Sequence, residues 1–294
     1  MSNRAWAALA AVYVIWGSTY LGIELAGETI PAIFAAGGRF VAAGGLLAGW
    51  VVWRKGRAAF RIARAELLAA CLVGVLLLSA NGMLFLAERH VPIGLASLLI
   101  ASVPLWIVLF RSVGGDRPRP LALVSVGTGF CGIALLVRPN GHTSLGWLLV
   151  VLGSACVWAT GSFLSSRLRL PADALVATAI EMTAGGLLLL PIGLAVADRG
   201  SLDPATWSGR SIGGLVYLVL IGSLVGYTAY VWLLGNVPIS TAATYAYVNP
   251  VVAILLGVVV LHEGVSWRIG GGALIVLCSV AVVIRQEQPA AAGA

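Results

Sequence analysis

The stretch Val91–Pro104, VPIGLASLLIASVP, recurs in the second half of the chain as Val237–Pro250, VPISTAATYAYVNP. Both copies open with Val-Pro-Ile and reach a second proline twelve residues after the first. Proline inside a helix removes a backbone donor and frees the carbonyl four residues earlier, so the second proline of each copy marks a weak point in its helix. One such match in so apolar a sequence would carry little weight, but three others follow the same order.

These further matches extend the similarity over both halves of the chain. They relate Trp16 to Trp158, the AGGLL segments 43–47 and 184–188, and Cys131 with Arg138 to Cys278 with Arg285. In chain order the four offsets are 142, 141, 146 and 147 residues, so the matches are nearly collinear. The sequence therefore predicts two similar units, residues 1–138 and 144–285, followed by a short tail, residues 286–294.

The composition predicts an all-α membrane protein. Apolar residues make up 60% of the 294 residues, charged residues only 10%, and the mean hydropathy is +1.00. A soluble domain carries about 25% charged residues. The net charge of +7 could suggest a nucleic-acid partner, but the basic residues are divided among short loops. That distribution is typical of positive charge retained on the cytoplasmic face, so lipid and not nucleic acid is the expected partner.

Ten transmembrane helices are predicted, because a crossing needs roughly 20 apolar residues. Their approximate limits are 5–25, 31–53, 66–87, 92–110, 120–137, 145–165, 173–197, 211–234, 238–261 and 267–284. Each half then holds five crossings, an odd number, so the second half enters the membrane from the opposite face. The expected fold is thus two inverted five-helix repeats, with a substrate site near the midplane between them and alternating access as its mechanism.

The distribution of lysine and arginine predicts the orientation. The loops on the side of the N-terminus hold 12 of these residues and the opposite loops hold 5. Positive charge is retained inside, so both chain ends and the tail are expected in the cytoplasm.

Several motifs resemble those of the drug/metabolite transporter superfamily, and of its EamA-type members in particular. They are the VIWGS segment 14–18, the spans led by Pro92 and Pro238, the Asn249-Pro250 pair and the Leu261-His262-Glu263 end of span nine. The resemblance covers roughly residues 5–285 and is closest to bacterial amino-acid exporters of the YddG type. It implies a multi-pass protein of the bacterial inner membrane that moves a small metabolite and is not an enzyme.

Polar and aromatic side chains within the spans are the predicted lining of a central cavity. Those candidates are Trp16, Tyr20, Asn81, Trp158, Ser162, Ser223, Tyr227, Tyr230, Thr241 and Tyr245. Any one of these aromatic residues could serve helix packing alone. As a set, aromatic walls with a few hydroxyl and amide groups would suit a small zwitterion or an aromatic metabolite.

Two prolines and two charges within the spans are candidates for mechanical or electrostatic roles. Pro104 and Pro250 lie in opposite leaflets, so we interpret them either as symmetric hinges, one for each gate, or as static packing kinks. Arg39 and Glu181 are substrate or proton ligands in one hypothesis, and a structural pair or rim groups in the other. No other carboxylate is expected deep in the membrane, which disfavours a dedicated proton relay and leaves the coupling open.

The sequence thus predicts a secondary transporter that exports small metabolites, most specifically amino acids, aromatic or apolar ones included. A multidrug or other metabolite exporter of the same superfamily is the alternative. An intramembrane enzyme would need a catalytic constellation, and a scaffold would not need paired prolines beside polar helix faces. The four cysteines lie in apolar runs, so neither a disulfide framework nor a metal site is expected. No cofactor is expected either. The sequence leaves open the substrate, the direction of transport and the coupling ion. It also leaves open the oligomeric state, for which a monomer is one possibility.

Overall fold

A computed structural model describes residues 2–115, 118–137, 143–237 and 244–286. Within these ranges the chain is helical and contains no strand. Eight helices are long and apolar enough to cross a membrane, judged by length and composition, and two shorter apolar helices accompany them. The all-α, membrane-type architecture predicted from the composition is confirmed.

The helices follow the predicted spans closely. In chain order they are α1 (Asn3–Gly27), α2 (Ala32–Lys55), α3 (Arg64–Glu88), α4 (Ile93–Val113), α5 (Pro120–Leu136), α6 (Leu145–Ser165), α7 (Ala174–Val196), α8, α9 (Tyr245–Leu261) and α10 (Trp267–Gln286). Three consecutive segments form α8, namely Gly209–Tyr217, Leu218–Val225 and Gly226–Asn236. Short 3-10 helices lie at Arg57–Phe60, Arg199–Leu202 and Pro204–Thr206. The predicted beginning of span nine, with Pro238 and Thr241, lies outside the described residues.

Two of the long helices are interrupted. α4 consists of Ile93–Ile100 and Val103–Val113, with a turn at Ala101 and Ser102 between them. Pro104 lies in the first turn of the second part, where a missing N–H costs little. The middle segment of α8, Leu218–Val225, is π-helical, a rare conformation that is frequent at functional sites.

Pro250, the counterpart of Pro104, lies instead inside the continuous helix α9. The two prolines therefore occupy different local environments. One follows an existing break, whereas the other is accommodated within a helix.

α2 and α7 pack with their backbones in contact, because glycine lines both surfaces. Four residue pairs form the contact, namely Gly37 with Leu190, Gly44 with Thr183, Val41 with Gly186 and Phe34 with Gly193. A Cβ atom at Gly37 would lie 2.5 Å from the amide nitrogen of Leu190, and one at Gly193 would lie 2.5 Å from that of Phe34. The residue numbers of every pair add to 227. The two helices are therefore antiparallel and in a single register, which we call the α2–α7 seam.

Candidate functional site

Four of the predicted cavity residues form one aromatic cluster where α1, α8 and α9 meet. The ring of Trp16 lies 4.9 Å from Tyr230, 4.9 Å from Tyr245 and 5.8 Å from Tyr227. Tyr230 and Tyr245 are also 5.6 Å apart, with their planes at 89°. Edge-to-face contacts of this kind hold aromatic side chains in fixed positions. The cluster thus joins the first helix of the chain to two helices of the second half.

One face of α1 runs from this cluster to a group of carboxylates. Trp16, Tyr20 and Glu24 are spaced four residues apart, so they lie along the same side of the helix. Eight residues of helix extend about 12 Å. Tyr20 is buried and lies within electrostatic range of Glu88. A line of aromatic and acidic side chains therefore follows α1 for roughly a third of a membrane's thickness.

Arg39 on α2 is held in the interior by the π-helical segment of α8. Its Nε donates a hydrogen bond of 3.0 Å to the hydroxyl of Ser223, and its guanidinium lies 4.7 Å from the ring of Phe40. Gly222 lies beside this side chain, and a Cβ there would be in ordinary contact, 3.4 Å from Nη2 of Arg39. Arg39 is only 5% exposed, so it is a buried charge and not a rim group.

Glu181 does not form an ion pair with Arg39 in the described part of the chain. It is buried on α7, where its backbone packs against Gly74 of α3. Both Glu181 and Arg39 lie within electrostatic range of Tyr227. The two charges therefore approach the aromatic cluster from different helices.

A cavity of about 540 Å³ lies at the ends of α1, α3 and α9 and at the beginnings of α4 and α6. Its wall includes Glu24, Glu88, Arg89, His90, Trp147 and Glu263. The ring of His90 stacks on Trp147 at 4.1 Å. By the predicted orientation this cavity opens to the outside, and we call it the acidic cavity.

Glu88 is enclosed by the protein, although it is the last residue of α3. It is 3% exposed, and neither of its carboxylate oxygens has a hydrogen-bond partner among the described residues. In the same part of the chain, one oxygen of Glu24 is likewise buried without a partner. Both residues lie in the last turns of their helices, where side chains commonly reach water, so their burial was not predicted.

Glu263 has a defined structural role in the acidic cavity. α9 ends at His262, whose φ of 56° turns the chain back on the helix. This turn brings the carboxylate of Glu263 to the beginning of α4, where it accepts hydrogen bonds from the amides of Ile93 at 2.7 Å and Gly94 at 3.3 Å. A carboxylate at a helix N-terminus satisfies free N–H groups and complements the helix dipole. Glu263 therefore attaches the end of α9 to the start of α4.

Within the described residues, Trp158, Asn81 and Ser162 do not join the aromatic cluster. Trp158 on α6 is partly buried against the main apolar core. Asn81 on α3 is half-buried, and the carbonyl of Ser162 accepts a hydrogen bond from Ser165. The site that the structure brings together is thus built mainly from α1, α2, α8 and α9.

A signal for Glu24 was present in the sequence. The spacing that relates Trp16 to Tyr20 continues to Glu24, so the three share a face. Nothing comparable indicated Glu88, because its position before Arg89 and His90 is also typical of a solvated helix end.

The chain is similar to known membrane transporters. The model of the EamA-like transporter family matches it in two segments, residues 4–138 and 145–285. The "Uncharacterized inner membrane transporter YedA" of Escherichia coli K12 is 39% identical over 254 residues, which cover 85% of this chain and 80% of that protein. The "Probable terminal-alkyne amino-acid exporter" of Streptantibioticus cattleyicolor is 29% identical over 180 residues, 60% of this chain and 59% of that one.

A crystal structure with 19% sequence identity aligns over 96% of both chains with a TM-score of 0.64, which indicates the same fold. The match to the family model and the 39% identical relative confirm the family predicted from the sequence motifs.

Proposed function

Because the chain belongs to the EamA-like transporter family, we propose that it exports amino acids, aromatic or apolar ones among them, across the bacterial inner membrane by alternating access. The observation that carries this proposal is the aromatic cluster around Trp16 beside the buried Arg39. Aromatic walls bind an apolar side chain, and an intramembrane charge binds a polar end group. The relative described as an amino-acid exporter supports the same substrate class.

Two inverted repeats of five helices are part of the proposal. One family model matches each half of the chain separately, which supports repeated units with limits near residues 138 and 144. The helix contacts also follow a two-fold pattern. α1 packs on α8 and α9 as α6 packs on α3 and α4, while α2 packs on α7 and α5 on α10. A two-fold axis in the membrane plane would relate these pairs of contacts. Each half could then adopt the shape of the other.

Ten crossings follow if the two shorter apolar helices also span. Pro120–Leu136 and Tyr245–Leu261 are each 17 residues long, near the lower end of the range that spans a bilayer. With ten crossings both chain ends lie in the cytoplasm. Single cysteines near each end, on a cysteine-free background, should react with a membrane-impermeant maleimide only after permeabilisation. Labelling of one end in intact cells would reject this topology.

The direct test of function is counterflow into proteoliposomes with a panel of labelled amino acids. We expect exchange of aromatic and branched amino acids, since these fit an aromatic cavity with few polar groups. Trp16→Ala should lower this exchange at least tenfold. Trp53→Ala is the matched control, because Trp53 is 77% exposed on α2 and should leave exchange unchanged.

Two results would contradict the proposed substrate class or its binding site. Exchange of dyes or cationic drugs without exchange of any amino acid would favour the multidrug alternative. Equal losses in Trp16→Ala and Trp53→Ala would remove the aromatic cluster from the binding site.

A further inference from the structure

Two opposite charges in the interior lack full compensation. Arg39 is 5% exposed and Glu88 is 3% exposed, and Glu24, Glu263 and Arg39 all lie within electrostatic range of Glu88. Nη1 of Arg39 and both carboxylate oxygens of Glu88 have no hydrogen-bond partner among the described residues. Buried charged groups without partners are costly, so their retention in a membrane protein points to a ligand.

The neighbouring charges are accounted for otherwise. Glu263 is occupied by the amides at the start of α4. Arg89 is close enough to attract Glu24 across the acidic cavity. Arg39 and Glu88 lack these compensating contacts, and Glu88, unlike Glu24, has neither of its two carboxylate oxygens hydrogen-bonded among the described residues.

Nη1 of Arg39 is a buried donor that lacks an acceptor among the described residues. Ser223 accepts from Nε and so fixes the side chain while leaving Nη1 without a partner. Glu88 forms part of the wall of the acidic cavity, and Tyr20 lies within its electrostatic range. Tyr20 lies on the same face of α1 as Trp16, which is part of the aromatic cluster.

Resting on the amino-acid export proposed above, we propose that Arg39 and Glu88 form a receptor for the zwitterionic backbone of an α-amino acid. The substrate carboxylate accepts from Nη1 of Arg39, its ammonium group donates to Glu88, and its side chain extends along α1 toward Trp16. Hydrogen bonds in which one partner is charged are about twice as strong as those between neutral groups. A zwitterion satisfies both protein charges and adds no net charge to the membrane interior, whereas an amine or an acid satisfies only one.

The test compares three ligands that share one side chain. L-Tryptophan, tryptamine and indole-3-propionate carry both charged groups, the amine alone and the acid alone. L-Leucine, isoamylamine and 4-methylvalerate form a second set. Each is titrated as a competitor of labelled amino-acid exchange and as a thermal stabiliser of the purified protein. In the wild type the zwitterion should act at a concentration at least tenfold below either analogue, since each lost contact involves a buried charge.

The variants assign each contact. Arg39→Gln should abolish the advantage of tryptophan over tryptamine, and Glu88→Gln its advantage over indole-3-propionate. The double variant removes both charges together and should bind the three ligands within about threefold of one another. Glu28→Gln and Arg210→Gln are matched controls. These two residues form an ion pair of 3.2 Å between the end of α1 and the beginning of α8. Both should keep the wild-type ranking.

The outcomes separate this receptor from the transport proposal. If the wild type exchanges amino acids but binds amine, acid and zwitterion within about threefold, the receptor is wrong and export stands. If Glu88→Gln weakens all three ligands equally, Glu88 does not bind the ammonium group and the receptor is equally wrong. If the wild type exchanges no amino acid, export and receptor fail together. The wild-type ranking needs no variant, so a misfolded substitution cannot conceal the answer.

Discussion

The carboxylate of Glu263 accepts a hydrogen bond of 2.7 Å from the backbone amide of Ile93, a residue 170 positions earlier in the chain. The bond links the last turn of α9 to the first turn of α4. Because proline at position 92 leaves the start of α4 without a side-chain cap of its own, the cap is supplied from the other half of the molecule.

Loss of this cap should destabilise the protein measurably. Glu263→Ala removes both acceptors and the charge, and should lower the free energy of unfolding by about 1–2 kcal/mol. Glu263→Gln retains an acceptor and should cost about half as much. Thermal unfolding in detergent measures both. Glu28→Ala removes a carboxylate that makes an ion pair with Arg210, and should cost less than about 1 kcal/mol. Equal effects in the three variants would contradict the capping role.

Added side-chain volume should disrupt the α2–α7 seam. Gly37→Ala places a Cβ 2.5 Å from the amide nitrogen of Leu190, which cannot move without its helix. We expect a loss of about 1–3 kcal/mol from overpacking. Gly38→Ala is the adjacent control, because its Cβ meets no atom within 4 Å and alanine favours the helix. A loss at Gly38 as large as at Gly37 would show that helix propensity, and not the close contact, controls stability.

The pH dependence of stability should include a contribution from Asp173. Burial raises the pKa of this carboxyl group. Hydrogen bonds from Lys55 and from the amide of Leu175 lower the pKa by more, so that it lies below its ordinary value. A lowered pKa in the folded protein stabilises it above the unfolded-state pKa of about 3.9, and this gain is lost as the pH falls through the folded value.

Two substitutions at Asp173 separate charge from capping. Asp173→Asn keeps a good N-cap for α7 but loses the charge, so it should cost less than about 1 kcal/mol at neutral pH and nothing in acid. Asp173→Ala also loses the cap and should cost about 1 kcal/mol more. Unfolding measured between about pH 7 and pH 3 tests this. A constant difference between wild type and Asp173→Asn over that range would exclude the ionic contribution.

Alanine at Pro104 and Pro250 tests the hinge hypothesis. If the prolines act as hinges, each substitution should slow exchange several-fold while the free energy of unfolding stays equal or rises, because alanine restores a backbone donor. Pro120→Ala is the control, since Pro120 occupies the first turn of α5, where proline is tolerated. Unchanged exchange in the double variant would leave the prolines as packing kinks.

Much of the helix arrangement could be predicted, because lipid requires long apolar segments separated by polar turns. The spacing of Tyr227 and Tyr230 places both on one side of a helix, but their contacts with Trp16 could not be predicted from it. The buried position of Glu88 could not be predicted in this way. Whether a carboxylate at a helix end is solvated or enclosed depends on which other helices end beside it, and that is tertiary information.

The glycines illustrate the same limit. The AGGLL segments match at an offset of 141 residues, but the glycines with equivalent contacts in the α2–α7 seam are Gly37 with Gly186 and Gly44 with Gly193, at an offset of 149. Gly45 meets no atom within 4 Å, whereas Gly185 packs against α3. Similar letters therefore need not mark equivalent positions in a composition so rich in glycine and alanine.

The α2–α7 seam also constrains how the molecule can move. Its two helices come from different halves of the chain, and backbone atoms lie in contact at each of the four residue pairs. Sliding or parting there would open a void along the entire line. Under the alternating-access mechanism proposed above, we expect the two halves to rotate about this line while the two helices stay in contact.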